Sequence, residues 1–256
     1  MKENPLRKKL STDAKLVGGW LTLADPFAAE MIASVGFDYV VVDMEHWPAD
    51  VPQAMRCFQA ITAGGSVPVA RLPANDPVWI KRTLDAGAMG LIIPLINSVD
   101  EAKAAIRDSR FPPLGRRPFG GGRAAVLNGL SYIAESNDQI VIVLQFEQVD
   151  VLPHVDEILK LEGFDVCFIG ATDLALSMGE PVPAQARSEK LEATVAELVA
   201  KIHAAGFPAS TTSVHADHCV QRLSEGFNLV SLSSDSALMM ANAKQSFAKV
   251  RENISR

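Results

Sequence analysis

Residues 67–94 read VPVARLPANDPVWIKRTLDAGAMGLIIP, and the fold unrolls outward from them. Residues 67–71 are a β-rich apolar run ending in a guanidinium, and residues 90–94 are a second such run. Between them Asp76-Pro77 supplies an N-cap and a first helical residue, and Gly87 supplies the stop. Strand, helix and strand in that order make a βαβ unit, whose two strands run parallel.

The same alternation recurs along the 256 residues. Further strands are expected at 15–23, 38–43, 140–146, 165–169, 207–211 and 228–232. A helix opened by Asp25-Pro26 and closed by Gly36 follows the first of these, and others are expected at 99–109, 151–161, 188–205, 216–226 and 236–253. Eight strands, each followed by a helix, predict an α/β fold of the (β/α)8 TIM barrel type. Runs such as YVVV at 39–42 and VIVL at 141–144 are continuously apolar, as parallel strands covered on both faces must be. An open doubly wound sheet is the competing architecture, but it calls for a glycine-rich turn after the first strand, and residues 22–25 read TLAD. No linker, repeat or low-complexity segment divides the chain, so residues 1–256 are read as one domain. One interval stands out: 111–130, FPPLGRRPFGGGRAAVLNGL, is a long excursion before the fifth strand, and long loops in compact domains usually serve function.

Composition narrows the partners. Lys and Arg number 24 against 30 acids, a net charge of −6 without any basic run, which argues against nucleic acid or an anionic membrane surface. No stretch approaches the roughly 18 apolar residues of a membrane span. Cys57, Cys167 and Cys219 are odd in number and far apart, so neither disulfides nor a zinc knuckle is expected. The basic first residues are not followed by an apolar signal segment, and a reduced, cytoplasmic protein is the expectation.

In a barrel of this kind the working residues sit at the C-terminal ends of the strands. The second strand ends in Asp43-Met44-Glu45-His46, the third in Arg71, the fifth in Gln145-Phe146-Glu147, and the sixth runs into Gly170-Ala171-Thr172-Asp173. Gln145 and Glu147 are two apart on a strand and share a face, which is the barrel mouth if Leu144 and Phe146 face the helices. Glu147 and Asp173, two carboxylates without a neighbouring histidine or cysteine, suit a hard cation such as Mg²⁺ or Mn²⁺. The competing reading makes Asp173 a helix cap and Glu147 a rim charge. Arg71 suits a planar carboxylate or an enolate oxygen, or a buried ion pair with Asp43 on the next strand. His46 is a candidate base or a structural histidine. Asp85 opposes the dipole at its helix C-terminus, and a carboxylate on His46 would raise its basicity. Trp20 and Pro94 are expected to line the mouth. The Gly120–Gly122 run, flanked by Arg116, Arg117 and Arg123, reads either as an anion cradle or as a solvated turn. His215 and His218 read best as a surface helix face.

Four segments carry a family resemblance: GFDYVVVDMEHWPAD (36–50), residues 68–94, QFEQ (145–148) and GFDVCFIGATDLALSMG (163–179). They resemble the HpcH/HpaI aldolases, metal-dependent class II pyruvate aldolases of the 4-hydroxy-2-oxoheptanedioate and 2-dehydro-3-deoxyglucarate type. The resemblance implies a barrel of the phosphoenolpyruvate/pyruvate superfamily that reversibly cleaves 4-hydroxy-2-oxo acids, through a metal-stabilised enolate. The products would be an aldehyde and pyruvate, or a close 2-oxo acid such as hydroxypyruvate. It implies Glu147 and Asp173 as ligands of Mg²⁺ or Mn²⁺, with Co²⁺ a third candidate. Gln145 and Arg71 would be the pyruvate-binding pair, His46 the base supported by Asp85, and the backbone amides near Ala171 and Thr172 the carboxylate cradle. It also implies a homo-oligomer, hexamer or trimer, with the last helix exchanged between neighbours. Trp47 and the 116–126 loop depart from the family pattern on the aldehyde side. Two rivals stand beside this reading: a related barrel lyase acting on acyl-CoA or citryl substrates, and a non-catalytic oxo-acid-binding barrel. No lysine stands at the C-terminal end of an expected strand, so a Schiff-base aldolase is not expected.

Overall fold

The computed structural model describes residues 1–12, 14–182 and 188–254. Eight parallel strands close into a barrel in chain order: β1 (Leu16–Leu21), β2 (Tyr39–Asp43), β3 (Val67–Arg71), β4 (Gly90–Ile93), β5 (Val141–Phe146), β6 (Val166–Ile169), β7 (Ala209–Ser213) and β8 (Leu229–Ser234). The helices are α1 (Pro5–Leu10), α2 (Pro26–Ser34), α3 (Val51–Ala63), α4 (Pro77–Ala86), α5 (Val99–Ser109) and α6 (Arg123–Asn128), then α7 (Ser131–Gln139), α8 (Val155–Ile158), α9 (Ala171–Met178), α10 (Glu189–Ala204), α11 (Ala216–Ser224) and α12 (Asp235–Ile254). This is the expected (β/α)8 TIM barrel. Among the described residues, no helix is long and apolar enough to cross a membrane.

Local chemistry sets the helix ends. Asp25, Asp50 and Asp76 each accept a backbone N–H of the first turn, each with a proline at the start of the helix, and Gly87 ends α4 in a left-handed conformation at φ +110°. The helix expected at 151–161 is instead a 3₁₀ turn (Val149–His154) followed by the short α8. Pro153 has no N–H to donate and steers its predecessor away from the α region. The 111–130 excursion passes into two short helices, α6 and α7, whose apolar residues follow no strong helical period.

The alternation of side chains along the strands does the positioning. Val40, Val42, Ala70, Leu91, Ile142, Leu144 and Phe146 pack outward against the helices. Trp20, Val41, Val69, Ile92, Val143 and Phe168 pack inward. A period of two therefore carries Asp43, Arg71 and Gln145 inward at the strand ends, with Asp43 paired in register to Arg71. The opposite end of the barrel is stoppered by α1, whose Leu6 joins the inner cluster while the buried Asn4 amide donates to the carbonyls of Met89 and Gln139. The barrel opens at its C-terminal rim. The three cysteines are buried and unpaired, as expected of core residues.

Candidate active site

The rim holds a cavity of about 480 Å³ lined by Trp20, Asp43, His46, Trp47, Arg71, Gln145 and Asp173, among others. Asp43 is its fixed point. Its buried carboxylate accepts two hydrogen bonds from Arg71, Nε to Oδ1 at 3.1 Å and Nη2 to Oδ2 at 2.6 Å, and one from Trp20 Nε1 at 3.2 Å. Burial alone would raise the Asp43 pKa, but the Arg71 guanidinium, helped by Trp20 and the Glu45 N–H, holds it below the usual carboxylate range. The ion pair with Asp43 is thus present. Its Nε and Nη2 are tied to Asp43, its plane lies 5.0 Å over the Trp20 ring, and Nη1 forms no hydrogen bond among the described residues.

Glu147 follows β5 and is buried. Its Oε1 accepts from the Leu95 N–H at 2.8 Å, and its Oε2 accepts from Gln145 Nε2. Gly170 makes room for it: a Cβ there would lie 2.8 Å from Glu147 Cβ and 3.3 Å from Oε2. Asp173 sits in the first turn of α9, with Gly170 at the N-cap, so it is not the cap itself. Ala171 and Thr172, in the same turn, also line the cavity.

Glu45 carried no expectation from the sequence, yet it stands at the centre of the charge cluster. Two residues beyond Asp43, its Oε2 lies 3.3 Å from Arg71 Nε and 3.4 Å from His46 Nε2, buried and without a hydrogen-bond partner. Burial pushes its carboxyl up to about 7; Arg71 pulls it down, and the charges of Glu147, Asp43 and Asp173 add to the rise. The spacing of two from an inward strand-end aspartate was the available signal. With 4.5 as the ordinary value, folded protein without metal holds this proton more tightly than the unfolded chain. The resulting stability is present below the ordinary value and is lost as pH rises through about 7. Thermal melts of the metal-free protein should therefore show wild type losing ground to Glu45→Gln across that window; parallel pH profiles would contradict this.

Three expectations are corrected within the chain. Asp85 does not meet His46, which is exposed beside Glu45. Asp85 instead accepts a 2.6 Å bond from Nη2 of the fully buried Arg117, which also donates to Tyr132 Oη at 2.7 Å. The C-terminal end of α4 points away from the β2 loop, and Gly122 packs close enough that a Cβ would lie 2.7 Å from Asp85 Cβ. Arg123 does not line the cavity either: it starts α6 and donates to the Ala86 carbonyl at 3.2 Å, capping α4. The Gly120–Gly122 run thus wraps the end of α4. Pro94 is likewise absent from the cavity lining, while Trp20 is in it. His215 caps α11, and His218 accepts from Arg222.

The residues present fit a divalent cation. Gln145 Oε1 is buried without a partner, the Glu147 carboxylate is held rigidly in the Gly170 cradle, and the donors are all oxygen, the set a hard ion takes. Among the described residues, no group of three or more His, Cys, Asp or Glu forms a metal cage. A pair of carboxylates with positions left for water and substrate is the arrangement Mg²⁺ commonly uses.

Comparison with known proteins shows the family. The model of the HpcH/HpaI aldolase/citrate lyase family matches residues 16–242. A hydroxypyruvate/pyruvate aldolase of Rhizorhabdus wittichii is 34% identical, over 97% of this chain and 99% of its own. A 4-hydroxy-2-oxo-heptane-1,7-dioate aldolase of Klebsiella pneumoniae is 32% identical, over 98% and 95%. The crystal structure of an HpcH/HpaI aldolase/citrate lyase family protein from Burkholderia cenocepacia superposes with a TM-score of 0.92 at 33% identity, covering 97% of this chain and 99% of that one. The chain belongs to the HpcH/HpaI aldolase/citrate lyase family.

Proposed function

We propose that this protein is a divalent-metal-dependent aldolase that reversibly cleaves 4-hydroxy-2-oxo acids to an aldehyde and pyruvate or a close 2-oxo acid such as hydroxypyruvate. The observation that carries the reading is that Arg71, fixed by Asp43, shares one cavity with Gln145 and Asp173, while Glu147 lies directly behind Gln145 and Gly170. Both curated relatives named above are aldolases, which disfavours an acyl-CoA or citryl substrate. The intact acid–base group at the rim disfavours a purely binding role.

Glu147 and Asp173 would hold the cation, Mg²⁺, Mn²⁺ or Co²⁺. When bound there, it supplies Lewis-acid stabilisation of the charge that develops on the oxo oxygen. Arg71 Nη1 donates to that oxygen as it gains enolate character, and Asp43 keeps the guanidinium aimed while it does so. Gln145 keeps Glu147 in place by donating from Nε2, and its unpartnered amide oxygen accepts from a hydroxyl of the substrate. The free N–H groups of Ala171 and Thr172, at the start of α9, receive the substrate carboxylate. His46 takes the proton from the 4-hydroxyl in cleavage and from the methyl group in synthesis, with Glu45 beside it as a second proton holder. Asp85 would reach a His46 only across a subunit boundary. A cytoplasmic homo-oligomer, hexamer or trimer, belongs to the same reading. It is supported by α12, which leaves Phe247, Val250 and Ile254 exposed along a helix buried only at its first residue.

The experiment follows pyruvate release from a 4-hydroxy-2-oxo acid with and without EDTA. Cleavage should stop on chelation and return with Mn²⁺ or Mg²⁺. Cleavage indifferent to chelation would contradict the metal assignment.

A further inference from the structure

The cavity has two unlike halves. One carries Asp43, His46, Arg71, Gln145 and Asp173; the other, built from the ends of β1, β7 and β8, carries Thr22, Thr212, Ser213, Ser233 and Ser234. Three of these hydroxyls are committed inside the protein. Thr22 Oγ1 donates to Asp235 Oδ1 at 2.6 Å, Ser213 Oγ donates to the Ser231 carbonyl at 3.1 Å, and Ser234 Oγ accepts from the Ala237 N–H at 3.2 Å. The side chains of Thr212 and Ser233 form no hydrogen bond among the described residues.

Ser233 has a second peculiarity. Its φ is +53°, the left-handed region in which glycine is at ease and a side chain is strained. A serine held in that conformation, with its hydroxyl bordering a cavity, is the kind of backbone outlier from which a functional role is fairly inferred. The charge balance points the same way. Arg71 is the only lysine or arginine among the described lining residues, it is already paired with Asp43, and Glu45 Oε2 lies 3.3 Å from its Nε. A carboxylate at the far end of an incoming aldehyde would lie against hydroxyls with no cation to meet it, and an unpaired charge in a partly closed site is strongly disfavoured.

Resting on the aldol reading above, we propose that Thr212 and Ser233 form an acceptor wall that selects an uncharged, hydroxylated aldehyde of about glyceraldehyde size over aldehydes bearing a second carboxylate. In synthesis, C3 of the oxo acid loses a proton and its electron pair forms the new bond to the aldehyde carbon. The carbonyl π pair moves onto oxygen, which takes up a proton, and nothing is oxidised or reduced. Cleavage runs the same steps backwards. The acceptor's own hydroxyls pass through unchanged, hydrogen-bonded to Thr212 and Ser233. A site built to bond a hydroxyl rejects an analogue lacking it far more strongly than an apolar pocket rejects an added hydroxyl.

The test uses the assembled enzyme with Mn²⁺ and pyruvate, and compares kcat/KM for glyceraldehyde, propanal and succinic semialdehyde. Exchange of pyruvate methyl protons in D₂O, without any acceptor, runs alongside. Glyceraldehyde should exceed both others by on the order of tenfold or more. Ser233→Gly, and separately Thr212→Val, should each lower the glyceraldehyde-to-propanal ratio by about tenfold. A preference for succinic semialdehyde, or wild-type ratios in both variants, overturns the acceptor assignment while proton exchange persists. Failure of wild type to exchange the methyl protons overturns the aldol reading itself.

Discussion

Arg71→Ala is expected to lower kcat for cleavage by about 10³-fold and to abolish exchange of the pyruvate methyl protons. Losing one well-placed donor to a developing oxyanion costs about 10² to 10³ in kcat, and Arg71 contributes a full charge as well as a donor. The same change strips the buried Asp43 of its two strongest hydrogen bonds, at 2.6 and 3.1 Å, so stability falls too. Arg71→Lys separates the two effects. A lysine restores charge beside Asp43 and much of the stability, but it lacks the planar fork that bonds Asp43 and the substrate at once. Activity should therefore stay low in Arg71→Lys while the melting temperature recovers. Recovery of exchange with lysine would show that Arg71 acts through charge alone.

Glu147→Gln is expected to remove cleavage by about 10³-fold or more, the equivalent of several kcal/mol of transition-state stabilisation. Glutamine keeps the volume, the Gly170 contact and an acceptor for the Leu95 N–H, so the fold should survive. What disappears is the negative charge needed to hold a cation. Excess Mn²⁺ should not rescue the variant, and its pyruvate release should match that of chelated wild type. Activity near wild type in Glu147→Gln would move the ion elsewhere.

The parts of this site legible in the sequence were those that obey the period of two. Asp43, Arg71 and Gln145 each follow an inward-facing apolar residue by two positions, and Glu147 follows Gln145 by two, so their convergence needed only the strand ends. The strands themselves were legible because parallel barrel strands are apolar on both faces, although β7 and β8 each extend two residues beyond their expected ends into Ser- and Thr-rich sequence. Asp85 and Arg123 were harder. Both lie at helix ends, where a side chain's partner depends on how the 111–130 segment is laid over α4, and no periodicity encodes that path. Arg117 reads as an ordinary loop arginine, yet it is fully buried between the Phe111 and Tyr132 rings, 4.6 and 5.3 Å from their centroids. Thr212 and Ser233 were illegible for a different reason: hydroxyl residues are common at strand ends, and a positive φ leaves no mark on a serine.

The central claim is that Glu147 and Asp173 together hold a divalent cation at the barrel mouth. Mn²⁺ titration followed by electron paramagnetic resonance, on wild type, Glu147→Gln and Asp173→Asn in the presence of pyruvate, tests it without relying on turnover. Wild type should draw free Mn²⁺ from solution and change its spectrum again as pyruvate is added, while both variants leave the ion free. Binding of Mn²⁺ to either variant with wild-type affinity would contradict the account.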